Sequence, residues 1–421
     1  MMTPRLLLLQ SLAAAAVVTP LAAQSAKRPI DDVQVLADDR WGGRFTGTPG
    51  NDSAAAYIAR RFAQVGLRPA GRDGWYQPFT IAPDAPIVHQ VPALAGARSQ
   101  NVVGVLPGRD RALRDEYVIV GAHFDHLGLG PFGAMDPDSI TVHNGADDNA
   151  SGTAALIEIA RQLRDRGTRR SVLFLAFSGE ELGLFGSAQY VKAPVLPLDR
   201  ATAMVNLDMV GRLRNDRLIV YGVQTAAEFP ALLDSLNRLP GAGFDLKAQG
   251  DGYGPSDHAS FYAAKKPVLH VFTDLHEDYH RSTDDADRIN APGLERVATY
   301  TAQVVKALAD RPAPLTFVDL PPPVAAGSSR GGSGSYLGSI PDMTESPGGV
   351  RLTGVRAGSP AEQAGIRAGD IITRIGDYPV ADLQGMTDAM RNYKPGDTVT
   401  IVVLRDGQPV SVTATFGRRG G

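Results

Sequence analysis

Carboxylates and histidines in this sequence fall at the ends of apolar runs. His123 and Asp125 follow YVIVGA, and Asp147 and Asp148 lie in NGADDNASG at the head of a helical segment. Glu180 and Glu181 follow VLFLAFSG, Asp208 follows MVNL, and His276 and His280 come after PVLHVFTDL. Open α/β sheets bind ligands outside the carboxyl ends of their strands. One histidine or carboxylate at such a place means little, but several separate strand ends aimed at one rim are hard to reconcile with chance. Imidazole and carboxylate together suit zinc or another divalent ion. Shared over two metals with one bridging carboxylate, such ligands make a hydrolytic site. The metal pair lowers the pKa of a bridging water and polarises the substrate carbonyl. A spare carboxylate then takes the water's proton and passes it to the leaving amine.

These side chains need a sheet to position them, and the apolar pattern supplies one. EYVIVGAHFDH, SVLFLAFSG, ATAMVNLDMVG and PVLHVFTDL read as buried strands. ASGTAALIEIARQLRDRG reads as an amphipathic helix stopped by Gly167, and LERVATYTAQVVKALAD as a closing helix. Near the start, SAAAYIARRFAQVGL puts Ala56, Ile58, Ala59, Phe62 and Leu67 roughly along one face and ends near Gly66. Apolar strands alternating with helices predict an α/β fold: a mixed, mostly parallel sheet flanked by helices.

Each candidate has a plainer reading. Glu180–Glu181 as a pair suits a solvated turn, but it follows an apolar strand and precedes a Gly-rich helix start, which favours function. Asp147 suits a helix cap and is set aside as non-catalytic. Asp208 alone suits a turn-capping Asp at a strand end. His270, on an apolar strand, reads as a packed core residue, while His126 and His143 receive no role. His276-Glu277-Asp278-Tyr279-His280 also spells HExxH, which holds zinc only from a helix. Here it lies between an apolar strand and a loop-like segment, and it leaves His123, Asp148 and Asp208 unexplained.

The ordered set GAHFDH, NGADDNASG, FSGEELGLFGS, NLDMVG, SDHASF and YHRSTDD resembles the two-zinc aminopeptidase family of secreted bacterial leucine aminopeptidases. Relatives of that family include glutamate carboxypeptidase and glutaminyl cyclases. The resemblance covers roughly residues 30–310. It implies the zinc exopeptidase fold, with His123 and Asp208 on one metal, Glu181 and His280 on the other, and Asp148 bridging. It further implies Glu180 as general base and Asp125 as the partner that orients the His123 ring. In SDHASF it places Asp257 and His258 near the metals, with Tyr253 before them as a substrate-side candidate. Zinc, or another divalent ion, would be the cofactor, and a peptide or protein the substrate.

The remaining sequence sets the context. The chain has 421 residues, 43% hydrophobic and 21% charged, with a net charge of −3 that gives no reason to expect a nucleic-acid partner. Residues 1–23 read as a cleaved secretory signal, with Arg5 before LLLLQSLAAAAVV and small residues at the end, so a secreted or periplasmic enzyme without a stable membrane span is expected. There is no cysteine, so a large core rather than disulfides must supply stability. The peptidase-like region would run over 24–310, followed by a Pro/Gly/Ser-rich linker at 311–334. Residues 335–418, with SPAEQAGIRAGDIITRIG and KPGDTVTIVVLRDGQPVSVTATF, resemble a bacterial PDZ domain of short strands and helices. Such modules take a peptide C-terminus as an added strand, here at Tyr336-Leu337-Gly338-Ser339-Ile340. The sequence therefore points to an aminopeptidase. A carboxypeptidase, a glutaminyl cyclase-like enzyme working with one zinc, and an inactive scaffold presenting the PDZ module stand as alternatives.

Overall fold

The computed structural model describes residues 28–136, 140–248, 250–320, 335–341, 348–356, 358–381, 385–386, 389–390 and 392–418. The expected signal at 1–23 and the linker stretch 321–334 lie outside the described residues.

The larger domain is built from β1 (Arg68–Pro69), β2 (Tyr76–Thr80), β3 (Arg98–Leu106), β4 (Tyr117–His123), β5 (Ser171–Phe177), β6 (Ala201–Leu207), β7 (Arg217–Tyr221), β8 (Asp245–Ala248) and β9 (Val268–Phe272). Its helices are α1 (Pro29–Leu36), α2 (Pro49–Val65), α3 (Gly152–Arg166), α4 (Phe185–Lys192), α5 (Phe229–Asn237), α6 (His258–Ala263) and α7 (Ala291–Asp310). The strand order is β1-β3-β5-β4-β6-β9-β7-β8, with β2 on β3. The four central strands β5, β4, β6 and β9 run parallel, while β3 and β7 flank them antiparallel. The mixed, mostly parallel sheet is therefore the observed one.

Helices cover both faces, which is why the central strands read as unbroken apolar runs. In β4, Val118, Val120 and Ala122 join the core under α1, α2, α3 and α7. Tyr117 and Ile119, pointing the other way, join the core that includes Tyr190 of α4 and Phe261 and Tyr262 of α6. Helix α2 starts earlier than its apolar stripe suggested. Thr48 caps it by accepting from Asn51 N, Pro49 takes the first turn, and Gly66 ends it in the left-handed region at φ 90°. Strand β4 ends at His123 rather than running through the HFDH segment.

Residues 311–320, linker by composition, run along this domain. Phe317 forms a β-bridge with Ala226, Leu315 packs on the main core, and Thr316 N and Oγ1 donate to Glu228. Burial of these apolar side chains outweighs the proline-rich composition.

The C-terminal module is a separate antiparallel unit. It contains β10 (Ser335–Tyr336), β11 (Ser339–Pro341), β12 (Val350–Val355), α8 (Pro360–Gln363), β13 (Ile371–Ile375), β14 (Tyr378–Pro379), β15 (Thr398–Arg405), β16 (Gln408–Thr415) and β17 (Gly417–Arg418). Its main sheet runs β11-β12-β13-β15-β16 around its own core, which includes Leu337, Ile372, Ile375, Ile401 and Phe416. Among the described residues, no helix is long and apolar enough to cross a membrane.

Candidate metal centre

The four parallel strands deliver the candidate ligands as they end. His123 is the last residue of β4, Asp208 follows β6, Glu180 and Glu181 follow β5, and His280 comes from the loop after β9. Asp148 arrives from the turn Ala146–Ser151, which leads into α3. Its two carboxylate oxygens face opposite ways. Asp148 Oδ1 is 3.3 Å from His123 Nε2, and Asp208 Oδ1 is 3.4 Å from the same nitrogen. Asp148 Oδ2 is 3.1 Å from His280 Nε2, which is 3.2 Å from Glu181 Oε2.

These spacings test whether metal ions fit. A tetrahedral zinc bonded at about 2.0–2.1 Å to nitrogen and oxygen holds neighbouring ligand atoms roughly 3.3 Å apart. The four distances lie close to that edge length. Glu180 Oε2 stands farther off, 3.9 Å from His123 Nε2. It belongs to the same cluster as His123 and Asp208 but not at ligand spacing, which suits a proton-carrying group better than a ligand.

The electrostatics follow from crowding acids and imidazoles out of water. Burial alone would lower the His123 pKa, but Asp208 and Glu180 raise it well above the usual value. Burial likewise opposes protonation of His280, yet Glu181 and Asp148 push it up to about 10. Against burial, His123 and His280 hold Asp148 well below the carboxylate range. Against burial, His280 brings Glu181 down to about 2. Glu180 goes the other way: burial raises it, and Glu181, Asp208 and Asp257 add to that over the opposing pull of His123. The protons on the two histidines are the ones a metal ion would displace.

Asp125 lies past the end of β4. His123 Nδ1 is 3.2 Å from the Asp125 main-chain oxygen and 3.7 Å from its carboxylate. The carboxylate instead accepts from Glu180 N at 3.2 Å and from Thr46 Oγ1 at 3.0 Å. Asp125 thus faces the His123 ring with both its carbonyl and its carboxylate, and the carboxylate also fixes the turn that carries Glu180.

The SDHASF segment backs the centre rather than lining it. Asp257 and His258 are buried, and burial first raises Asp257 to about 7. His258 stacks on His270 with ring centroids 4.5 Å apart, and the buried His270 ring meets Asn206 Nδ2 at 3.1 Å. Ser256 is the member that touches the centre, its hydroxyl donating to Asp208 Oδ2 at 2.8 Å. The Tyr253 hydroxyl donates to Leu320 O at 3.4 Å.

The 276–280 segment is a turn, not a helix. His276 and His280 therefore share no helical face. His276 Nε2 lies 3.1 Å from Asp147 Oδ2 instead. Asp147 is not a simple helix cap: its Oδ1 accepts from Gly211 N at 2.6 Å and from Ser151 Oγ at 2.9 Å, tying the turn to the end of β6. His143 pairs with Asp136 at 2.7 Å, outside the cluster.

Two side chains at the centre went unassigned in the sequence. His126 Nδ1 is 2.8 Å from Glu181 Oε1, and its ring meets His280 edge to face at 5.8 Å. The HxxH spacing of His123 and His126 was the available signal. Tyr279 stacks on His280 with centroids 3.9 Å apart. Burial and then Asp148, Glu181, Glu180 and Asp208 drive its pKa well up, so its phenol stays a donor. An apolar cleft of about 910 Å³ is lined by Trp41, Phe45, Leu127, Leu129 and Phe132 among others. None of the candidate ligands lines it.

Comparison with known proteins agrees with this geometry. Residues 101–305 match peptidase family M28 and residues 335–415 match the PDZ domain. An aminopeptidase of Bacillus subtilis, YwaD, is 28% identical over 235 residues, covering 53% of this chain and 48% of that protein. The chain thus spans about half the length of that relative. Among solved structures, an aminopeptidase from Aneurinibacillus sp. strain AM-1 is similar at a TM-score of 0.52 and 20% identity, covering 70% of this chain and 96% of that one. A Bacteroides thetaiotaomicron glutaminyl cyclase is similar at a TM-score of 0.54 and 17% identity, covering 66% and 97%. The fold is shared by both, so the fold alone does not choose between their activities.

Proposed function

The chain belongs to peptidase family M28 and carries a PDZ domain, and from that premise we propose that it is a two-metal aminopeptidase acting on peptides outside the cytoplasm. The observation that carries the reading is Asp148, whose two oxygens each face a separate histidine–carboxylate pair at 3.1–3.4 Å. His123 and Asp208 would hold one ion, His280 and Glu181 the other, with Asp148 shared. Bound there, the ions would acidify a water and polarise the scissile carbonyl.

The chain's own groups do the rest. Glu180 takes a proton from the attacking water and returns it to the leaving amine. Burial and the neighbouring acids make it a stronger proton acceptor than an ordinary carboxylate, and the Asp125 carboxylate on Glu180 N keeps the turn in place. Tyr279 offers a hydroxyl donor beside the reacting carbonyl. Asp257 bears on the charge of Glu180 and Asp208, and His258 packs on His270. The apolar cleft lined by Leu127 suits apolar substrate side chains. Support for an aminopeptidase over a carboxypeptidase comes from the named relatives. Export rests on residues 1–23.

The PDZ domain supports docking of a substrate's C-terminus. Among the described residues, strand β11 pairs with β12 alone and stands at the edge of its sheet, where an extended peptide can add. A panel of peptides with free and blocked N-termini, assayed together with metal content, tests the reading. Cleavage of free N-termini only, with two zinc ions per chain, is expected. Equal cleavage of blocked peptides overturns the aminopeptidase assignment, and one zinc per chain favours the cyclase-like alternative. Removal of residues after Gly334 should leave small substrates unaffected and narrow the range of protein substrates. An unchanged range sinks the docking role.

A further inference from the structure

The segment carrying Asp148 is held by two buried side chains that the reaction does not use. On one side is Arg44, fully buried. Its guanidinium donates only to main-chain carbonyls: Nε to Phe124 O at 2.7 Å, one terminal nitrogen to Asn144 O and Leu36 O at 2.6 Å each, the other to Gly145 O at 3.1 Å. Phe124 sits between His123 and Asp125. Arg44 therefore joins the His123 strand end to the start of the Asp148 turn. Its own carbonyl accepts from His126 N and from Asn51 Nδ2.

On the other side is Asp284, also buried. Its Oδ2 accepts from Asp147 N at 2.9 Å and from Asp148 N at 3.0 Å. Its main-chain oxygen accepts from Ala146 N at 2.9 Å. Asp284 lies four residues beyond His280 in the same loop. It therefore joins the His280 loop to the first half of the Asp148 turn.

A buried charge without an ionic partner in contact is costly, so one that persists must be held by its hydrogen bonds. The forked guanidinium reaches carbonyls from three segments at once, which a lysine ammonium cannot do. We propose that Arg44 and Asp284 are positioning residues that set the affinity of the two metal sites separately, Arg44 for the His123 side and Asp284 for the His280 side. The proposal rests on the two-metal reading above. A residue needed only for folding would weaken both sides together, whereas Arg44 ties the bridging segment to the His123 strand end and Asp284 ties it to the His280 loop.

The test is zinc titration of the metal-free full chain against a chromophoric chelator, with thermal unfolding of each metal-free protein alongside. Wild type, Arg44→Lys and Asp284→Asn are compared, each also in a background with His126→Ala and His280→Ala together, which keeps only the His123 side. Loss of such orienting partners typically weakens metal binding about 10–100-fold. Asp284→Asn should weaken one site by that factor in the full chain and have a clearly smaller effect on the site that remains in that background. Arg44→Lys should weaken the site that remains in that background. Unchanged affinities in both variants overturn the proposal. So does an equal loss at both sites that tracks a lower metal-free midpoint. If Arg44→Lys does not fold, the Asp284→Asn pair decides. A wild type that takes up fewer than two zinc ions overturns the two-metal reading itself, and the clamp with it.

Discussion

Replacing Glu180 by Gln separates a proton carrier from a metal ligand. The swap keeps volume and shape and removes one charge. Glu180 Oε2 stands 3.9 Å from His123 Nε2, beyond the 3.3 and 3.4 Å spacings of Asp148 and Asp208 to the same nitrogen. Metal content should therefore hold at two ions. The neutral amide also mimics the protonated carboxyl that burial and the neighbouring acids already favour, so the metal-free protein should unfold at an unchanged temperature. What is lost is the transfer of a proton in the transition state, generally about 10²–10⁴-fold in rate. That corresponds to about 3–5 kcal/mol on the barrier. Turnover number and zinc content would be measured on the same preparation, with a free-N-terminus peptide as substrate. A variant that keeps two zinc ions and most of its turnover would refute Glu180 as the base. A variant that drops to one zinc would refute the ligand assignment, making Glu180 a ligand and leaving the base unnamed.

His276→Ala should retain both zinc ions, because His276 faces Asp147 and not the cluster; it should cost about 1–3 kcal/mol of stability by stranding a buried carboxylate. Loss of zinc in that variant would revive the HExxH reading. Zinc affinity should rise with pH, since His280, held protonated up to about 10, must lose its proton to ligate. Chelator competition at about pH 6 and about pH 9, with an indicator for released protons, checks this, and a flat profile would contradict it. Gly121→Ala should lower the unfolding midpoint. A Cβ there would sit 2.5 Å from Phe177 Cε2 and 2.9 Å from Met204 Cε, and such overpacking costs about 1–3 kcal/mol. An unchanged midpoint would mean that β4 and β5 have room to adjust.

The sequence by itself determined the sheet and most of the acidic and imidazole rim. A parallel strand buried on both faces must be apolar throughout, so His123 and Asp208, together with Glu180 and Glu181 just past the strand end, stand out where YVIVGA, MVNL and VLFLAF stop. Chain order also showed that those ends lie on one edge. The flanking strands β3 and β7 and the true extent of the domain past Asp310 carried weaker patterns.

Tertiary structure alone decided how those residues are held. Asp125 was chosen for its spacing from His123, and its carboxylate also accepts from Glu180 N, 55 positions away, which spacing could not show. His126 was passed over, yet it contacts Glu181. Arg44 and Asp284 left no trace of their task. Arg44 reaches Phe124 and Gly145, 80 and 101 positions away, and Asp284 reaches Asp147 across 137. Their partners are main-chain carbonyls and N–H groups, which every residue type supplies alike. A side chain paired with a backbone writes only half of its interaction into the sequence, so the clustering of these acids and imidazoles was legible and the groups that space them were not.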